Sequence, residues 1–133
     1  MRILTTERLI LRRFKHEDLD DFYGYAKNPN VGPSAGWKPH ESRWESLEIL
    51  KSFIKNKEVW AIVHKETGKV IGSIGLHNDE RRNNSRVKML GYALDEAYWG
   101  KGLMTEAAKR VIRYAFEELN QDMISIYHYP FNI

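Results

Sequence analysis

The sequence contains no cysteine among its 133 residues. Disulfides, thiolate metal sites and a cysteine nucleophile are therefore excluded. The chain also lacks an apolar run near the roughly 20 residues that cross a bilayer, and residues 1–8 lack the long apolar segment of a secretory signal. We therefore expect a cytoplasmic protein with no membrane partner and no metal.

A strong charge of one sign is missing as well. The net charge is only +3, and the basic residues are spread along the chain except at residues 81–88 and at Lys109-Arg110. Proteins that bind nucleic acids usually concentrate Lys and Arg on one face, with aromatic residues between them. We expect no nucleic-acid partner, although a few basic side chains could still meet an anionic ligand.

Hydrophobic periodicity predicts a single α/β domain over residues 1–133. A mixed, mostly antiparallel sheet carries helices on both faces, and the crossover between the last two strands makes that pair parallel. The predicted order is β-α-α-β-β-β-α-β. Its elements are strands at 8–14, 59–64, 70–76, 87–94 and 123–127, helices at 16–27, 42–55 and after 102, and a loop at 28–39.

The most informative stretch is a glycine-rich turn that opens the strongest amphipathic helix, Tyr98-Trp99-Gly100-Lys101-Gly102-Leu103-Met104-Thr105-Glu106-Ala107. Glycine lets the backbone turn sharply and approach a ligand without an intervening Cβ. The helix that follows directs unpaired N–H groups and its positive dipole end into the turn. This arrangement predicts a phosphate or pyrophosphate site.

The turn by itself leaves the ligand open, but two familiar phosphate motifs do not fit. A Walker A loop, G-x-x-x-x-G-K-[ST], does not occur in the chain. The dinucleotide fingerprint G-x-G-x-x-G/A has Thr105 in its third glycine position, and Asp122 lies at the start rather than the end of the next strand.

Four segments resemble the GNAT N-acetyltransferases, and within them the RimJ/RimL-like branch. They are Thr6-Glu7-Arg8-Leu9-Ile10-Leu11-Arg12, Leu90-Gly91-Tyr92-Ala93-Leu94, Tyr98-Trp99-Gly100-Lys101-Gly102 and Thr105-Glu106-Ala107. The resemblance implies acetyl-CoA as co-substrate. It also implies that the strands at 87–94 and 123–127 splay apart.

The resemblance also assigns cofactor contacts. The pantetheine arm would lie in the gap between the splayed strands, on backbone groups of Tyr92, Ala93 and Leu94. The pyrophosphate would lie on the amides of the turn, namely Gly100, Lys101, Gly102, Leu103, Met104 and Thr105. Asn132 matches the asparagine of the family's N-x-x-S motif, and the side chains of Lys101 and Arg110 are candidates for the nucleotide phosphates.

Catalytic residues are harder to assign. Without a cysteine, direct attack of a bound primary amine on the thioester is the simplest route, and a protein N-terminal amine or a small amine is the expected acceptor. The backbone amide of Tyr92 would stabilise the oxyanion. Many relatives carry a glutamate where this chain has Met89, so His77 is the next candidate base. The alternative is a non-catalytic domain that binds or senses acyl-CoA.

The chain stops just after Asn132, inside the N-x-x-S motif. The family's serine, final helix and closing strands are therefore missing. We expect the chain to be the larger part of a longer protein. The alternative is a natural short form completed by homodimerisation, because the open edge of the last strand invites pairing with another chain.

Overall fold

The computed structural model describes residues 2–35, 37–55, 59–78, 87–118 and 123–126. Its strands follow the predicted pattern of β-branched and apolar runs between turns. They are β1 (Leu4–Thr5), β2 (Leu9–Arg13), β3 (Val59–His64), β4 (Val70–Asn78), β5 (Val87–Leu94) and β6 (Met123–Ile126).

The helices are α1 (Leu19–Ala26), α2 (Val31–Ala35), α3 (Arg43–Lys55) and α4 (Leu103–Glu118), with 3₁₀ turns at His16–Asp18 and Glu96–Tyr98. The hydroxyl of Ser42 accepts a hydrogen bond from the Glu45 backbone amide at 3.2 Å and so caps the start of α3. Within the described ranges, no helix has both the length and the apolar composition that a membrane crossing requires.

The six strands form one sheet in sequence order, β1-β2-β3-β4-β5-β6. Each pair is antiparallel except β5 and β6, which are parallel as predicted. The tight turn between β3 and β4 contains Gly68 with a φ of 74°, which explains why glycine occupies that position.

Helices cover both faces of the sheet, as the sequence predicted. Strand β3 shows why: Val59, Ala61 and Val63 pack in one core with α1 and α3, whereas Trp60 and Ile62 pack in the other with α4. Because successive residues of a strand point to opposite faces, a strand that is apolar throughout must be covered on both sides.

Three details of the predicted element order are wrong. Residues 28–39 are not wholly a loop, because the short helix α2 lies within them. A two-residue strand, β1, precedes β2 and pairs with it through Leu4 and Leu11. Strand β4 continues to Asn78, so His77 lies inside a strand rather than at the start of a loop. Such short elements lack the repeated periodicity that would identify them in a sequence.

Candidate functional site

The glycine turn connects β5 to α4 through two residues in the left-handed region of backbone space. Gly100 has a φ of 77° and Gly102 a φ of 75°. An L-residue adopts these values only at a cost of about 1–2 kcal/mol. A Cβ on Gly100 would meet nothing within 4 Å. The space beside the turn is therefore open to a ligand, and the glycines are needed for the backbone conformation.

Helix α4 begins directly after this turn. The Glu106 amide donates to the Gly102 carbonyl at 3.1 Å, so the amides before it in the first turn have no helical carbonyl to bind. Leu103 is buried in the core, whereas Lys101 and Thr105 are exposed and Met104 is partly buried. The Lys101 ammonium lies 5.5 Å from the centre of the Tyr98 ring. The turn thus combines the backbone amides at the start of α4 with the ammonium group of Lys101.

The C-terminal half of β5 directs alternate backbone groups toward β4 and away from it. Ala93 pairs with Ser73, and the Asp95 amide donates to the Ile71 carbonyl at 2.7 Å. By the alternation of an antiparallel ladder, the polar backbone groups of Ala93 face β4, and those of Tyr92 and Leu94 face the β6 side. Over the described residues, β6 pairs with β5 only from Val87 to Leu90.

Trp99 links the end of β5 to the glycine turn. Its indole N–H donates to the Leu94 carbonyl at 2.8 Å, while 38% of the residue remains exposed. This leaves the two backbone groups of Tyr92 and the amide of Leu94 facing the β6 side. Of the three strand residues predicted to hold the pantetheine arm, Tyr92 has the best placed backbone, and Ala93 has its backbone groups directed toward β4.

A cluster that the sequence analysis missed joins the N-terminal segment to α4. The Glu106 carboxylate accepts hydrogen bonds from the Thr6 hydroxyl, from the Arg8 amide at 2.9 Å and from Arg8 Nε at 2.8 Å. Arg8 Nη1 also donates to the Lys101 carbonyl at 3.0 Å. The motifs at residues 6–12 and 105–107, which had separately supported the resemblance, therefore form one structural unit.

The environment of Glu106 favours its charged form. Burial raises the pKa of the carboxyl, but the hydrogen bonds from Thr6 and Arg8 and the charge of Arg8 lower it more, and the net pKa lies below its ordinary value. A carboxylate in the first turn of a helix also interacts favourably with the helix dipole. Glu106 is thus a charged anchor for the start of α4.

The loop after α1 is attached to the segment between β5 and the glycine turn. The side-chain amide of Asn28 donates to Glu96 Oε1 at 3.0 Å, and that of Asn30 donates to both Glu96 oxygens at 3.1 and 3.2 Å. The backbone N–H of Asn30 donates to the side-chain oxygen of Asn28 at 2.8 Å. Residues 28–30 are therefore held beside the 3₁₀ turn that precedes the glycine turn.

The predicted catalytic residues are only partly located. The register of β4 and β5 places His77 directly opposite Met89, where the family resemblance implied a glutamate. The structure describes the backbone of both residues, and the role of His77 stays a prediction. Asn132 lies outside the described residues.

A mixed sheet with one parallel strand pair, a glycine turn between that pair's first strand and the following helix, and helices on both faces match the fold expected of an N-acetyltransferase domain. The chain belongs to the Acetyltransferase (GNAT) domain family, whose sequence profile matches residues 8–133. It is an enzyme of that class.

Individual relatives agree with this assignment. An uncharacterized N-acetyltransferase of Bacillus licheniformis, p20, is 31% identical over 129 residues, which cover 93% of this chain and 71% of that protein. YdaF of Bacillus subtilis, provisionally named a ribosomal N-acetyltransferase, is 39% identical over 59 residues, covering 44% of this chain and 31% of its own length. The crystal structure of an acetyltransferase from Agrobacterium tumefaciens superimposes with a TM-score of 0.76 and 29% identity, covering 99% of this chain and 77% of the other.

Proposed function

We propose that this enzyme uses acetyl-CoA and transfers its acetyl group directly to a primary amine. The observation that carries the proposal is one juxtaposition. The left-handed glycines Gly100 and Gly102 open α4, and the preceding strand directs the backbone of Tyr92 away from β4. An anionic pyrophosphate fits the first feature, and the peptide-like pantetheine arm fits the second.

In the proposed reaction, the neutral amine nitrogen of the acceptor attacks the carbonyl carbon of the thioester. A C–N bond forms, the C–S bond breaks, the nitrogen loses a proton and the leaving CoA thiolate gains one. The amide of Tyr92 donates a hydrogen bond to the oxygen on which negative charge develops. Such a donor stabilises the transition state most when it is already in place before the reaction begins.

His77 is the proposed general base. A histidine with an ordinary pKa near 6.5 exchanges protons close to neutrality. Its position is opposite Met89 in the ladder between β4 and β5. That register supports the proposal, because the base would then come from the strand next to the one that carries glutamate in many relatives.

The proposed acceptor class is a protein N-terminal amine. The RimJ/RimL-like motifs at residues 6–12 and 98–107 support this choice, as does the partial match to YdaF, whose provisional name refers to ribosomal acetylation. A small amine is the competing acceptor. A panel that contains both short peptides with free N-termini and small amines therefore decides between them.

The first experiment measures binding of acetyl-CoA to the full chain by calorimetric titration. Wild-type protein should bind, and Gly100→Ala and Gly102→Ala should each bind at least about tenfold more weakly, because the turn amides move when an L-residue is forced toward positive φ. Gly68→Ala is the matched control, since Gly68 has a φ of 74° in a different turn and its substitution should leave the affinity unchanged. A folded wild-type sample that does not bind acetyl-CoA would refute the proposal.

The second experiment measures thiol release across the amine panel. Release that depends on both the amine and His77 supports the transferase mechanism, and His77→Ala should lower kcat by about 10²–10⁴-fold, as is typical for general bases. An unchanged kcat in the His77 variant would reject that residue as the base. Tight binding without thiol release from any amine would favour the non-catalytic alternative.

A further inference from the structure

We propose that Arg8 is a positioning residue that holds the phosphate-binding turn in shape, with Glu106 as its anchor. The inference rests on the proposed function of the turn as the site of the CoA pyrophosphate. It concerns a residue about ninety positions away in sequence, in the segment that leads into β2.

The contacts of Arg8 place its guanidinium between the helix and the turn. Nε donates to Glu106 Oε1 at 2.8 Å, and Nη1 donates to the Lys101 carbonyl at 3.0 Å. Nη2 lies 3.7 Å from the place a Cβ on Gly102 would occupy. The same planar group thus touches residues on both sides of the turn's second glycine. A lysine ammonium cannot make this pair of contacts, because it lacks the rigid fork of donors.

The hydrogen bond from Arg8 to the Lys101 carbonyl fixes the direction of a backbone amide in the turn. Fixing the Lys101 carbonyl also fixes the peptide plane that it shares with the Gly102 amide. Gly102 is free to adopt many conformations in the absence of such a restraint. By holding this peptide, Arg8 keeps the Gly102 N–H directed toward the ligand before the ligand binds, which lowers the entropic cost of binding.

Charge gives a second reason for the pairing. Glu106 is a carboxylate in the same helical turn that would bind the pyrophosphate, so its negative charge opposes an anionic ligand. Arg8 compensates this charge at 2.8 Å. When Arg8 is absent, the uncompensated carboxylate remains near the phosphates. Removing the charge of Glu106 as well should therefore recover part of the lost affinity.

A second arginine provides a matched control. Arg12, four residues later, forms a bidentate pair with Asp18, at 2.9 Å and 3.0 Å, and Asp18 also accepts from the Lys15 amide at 2.8 Å. This pair joins β2 to the 3₁₀ turn before α1, and among the described residues none of its hydrogen bonds involves the glycine turn. Arg12→Lys therefore perturbs a similar ion pair without touching the proposed phosphate site.

The test is calorimetric titration of the full chain with two probes, CoA and pantetheine, which lacks the pyrophosphate and the nucleotide. Arg8→Lys and Arg8→Ala should weaken CoA binding by about tenfold or more and leave pantetheine binding unchanged. Arg12→Lys should bind both probes like the wild type. The double variant Arg8→Ala/Glu106→Gln should bind CoA more tightly than Arg8→Ala alone. Circular dichroism and thermal unfolding identify any variant that fails to fold. Arg8→Lys should fold most readily, because lysine keeps the positive charge beside Glu106.

The outcomes separate the two proposals. If the wild type does not bind CoA, the proposed function itself fails. If the wild type binds CoA and the folded Arg8 variants bind it equally well, only the role of Arg8 is overturned. Equal losses for CoA and pantetheine, or an equal loss in Arg12→Lys, would also overturn it, because each would indicate a general loss of structure rather than a local effect on the phosphate site.

Discussion

Replacing Glu106 by glutamine removes the charge of the carboxylate that Thr6 and Arg8 hold, while nearly preserving the size of the side chain. The carboxylate accepts three hydrogen bonds, two of them from Arg8 at 2.8 and 2.9 Å. Hydrogen bonds to a charged group contribute about 1.5–3 kcal/mol in shielded positions, whereas exposed ion pairs contribute about 0.2–1 kcal/mol. Glu106 is 19% exposed and Arg8 44% exposed, so we expect a loss near the lower end of the shielded range, about 1.5 kcal/mol at neutral pH.

The loss should depend on pH with a definite sign. Burial raises the pKa of Glu106, but the contacts with Thr6 and Arg8 lower it more, so the carboxyl of the folded chain has a lower pKa than that of the unfolded chain. Such a group stabilises the fold fully above its unfolded pKa, about 4.3, and the stabilisation is lost as the pH falls through the folded pKa. Glutamine does not titrate, so the difference between the two proteins should shrink in acid.

Urea unfolding of the wild type and Glu106→Gln, from about pH 7 to about pH 3, measures both quantities. Glu117→Gln is the control, because Glu117 lies 3.8 Å from Arg113 with both side chains at least 60% exposed. That variant should lose less than about 0.5 kcal/mol. The reasoning would be refuted by a Glu106→Gln deficit that does not change with pH, or by one no larger than the deficit of the control.

Three further predictions concern the core and can be checked by urea or thermal unfolding. Gly72→Ala should lower the free energy of unfolding by about 1–3 kcal/mol, because a Cβ there would lie 2.4 Å from the Ala93 carbonyl oxygen. A Cβ on Gly24 in α1 would meet nothing within 4 Å, so Gly24→Ala should raise the free energy of unfolding by up to about 1 kcal/mol. The reverse ranking would contradict the packing. Tyr25→Phe should be neutral or stabilising, since the buried Tyr25 hydroxyl lies near Ser73 but makes no well-formed hydrogen bond within the described part of the chain. A clear loss of stability would show that the hydrogen bond to Ser73 forms. Burial lowers the pKa of His40, so protonation favours the unfolded chain. Wild-type stability should therefore fall as the pH drops below about 6.5, the ordinary pKa of histidine in an unfolded chain. A His40→Gln variant whose stability has the same pH dependence would exclude His40 as the cause.

Long elements were predictable because each repeats its pattern several times. Helix α4 carries apolar residues at helical spacing, and Ala107, Val111 and Ala115 from that stripe are buried. The hairpin between β3 and β4 was predictable from Gly68, which indeed has a positive φ. Helix α2 was missed since its five residues, Val31–Ala35, include both a glycine and a proline, which are typical of loops.

In the candidate site, too, the local features were predictable and the long-range contacts were not. The glycine turn and the strand before it were predicted from neighbouring residues, because their geometry depends on local backbone preferences. The contacts of Glu106 with Thr6 and Arg8 join residues 98 and 100 positions apart. Neither the charge pattern nor the periodicity of one segment indicates such a partner. The family resemblance had marked the motifs at residues 6–12 and 105–107, and comparing these two motifs could have suggested that they are in contact.

The sequence by itself determined the position of the glycine turn, since two glycines before an amphipathic helix specify a local backbone shape. The phosphate-bearing ligand at this turn stays a prediction. The sequence also determined the family, through motifs that lie within short segments. Only the tertiary structure decided that Arg8 donates a hydrogen bond to the Lys101 carbonyl and that Trp99 donates one to the Leu94 carbonyl. It also decided that the Tyr92 backbone, rather than that of Ala93, faces away from β4. These features depend on strand register and on the packing of distant segments, and both are fixed only when the whole sheet has assembled.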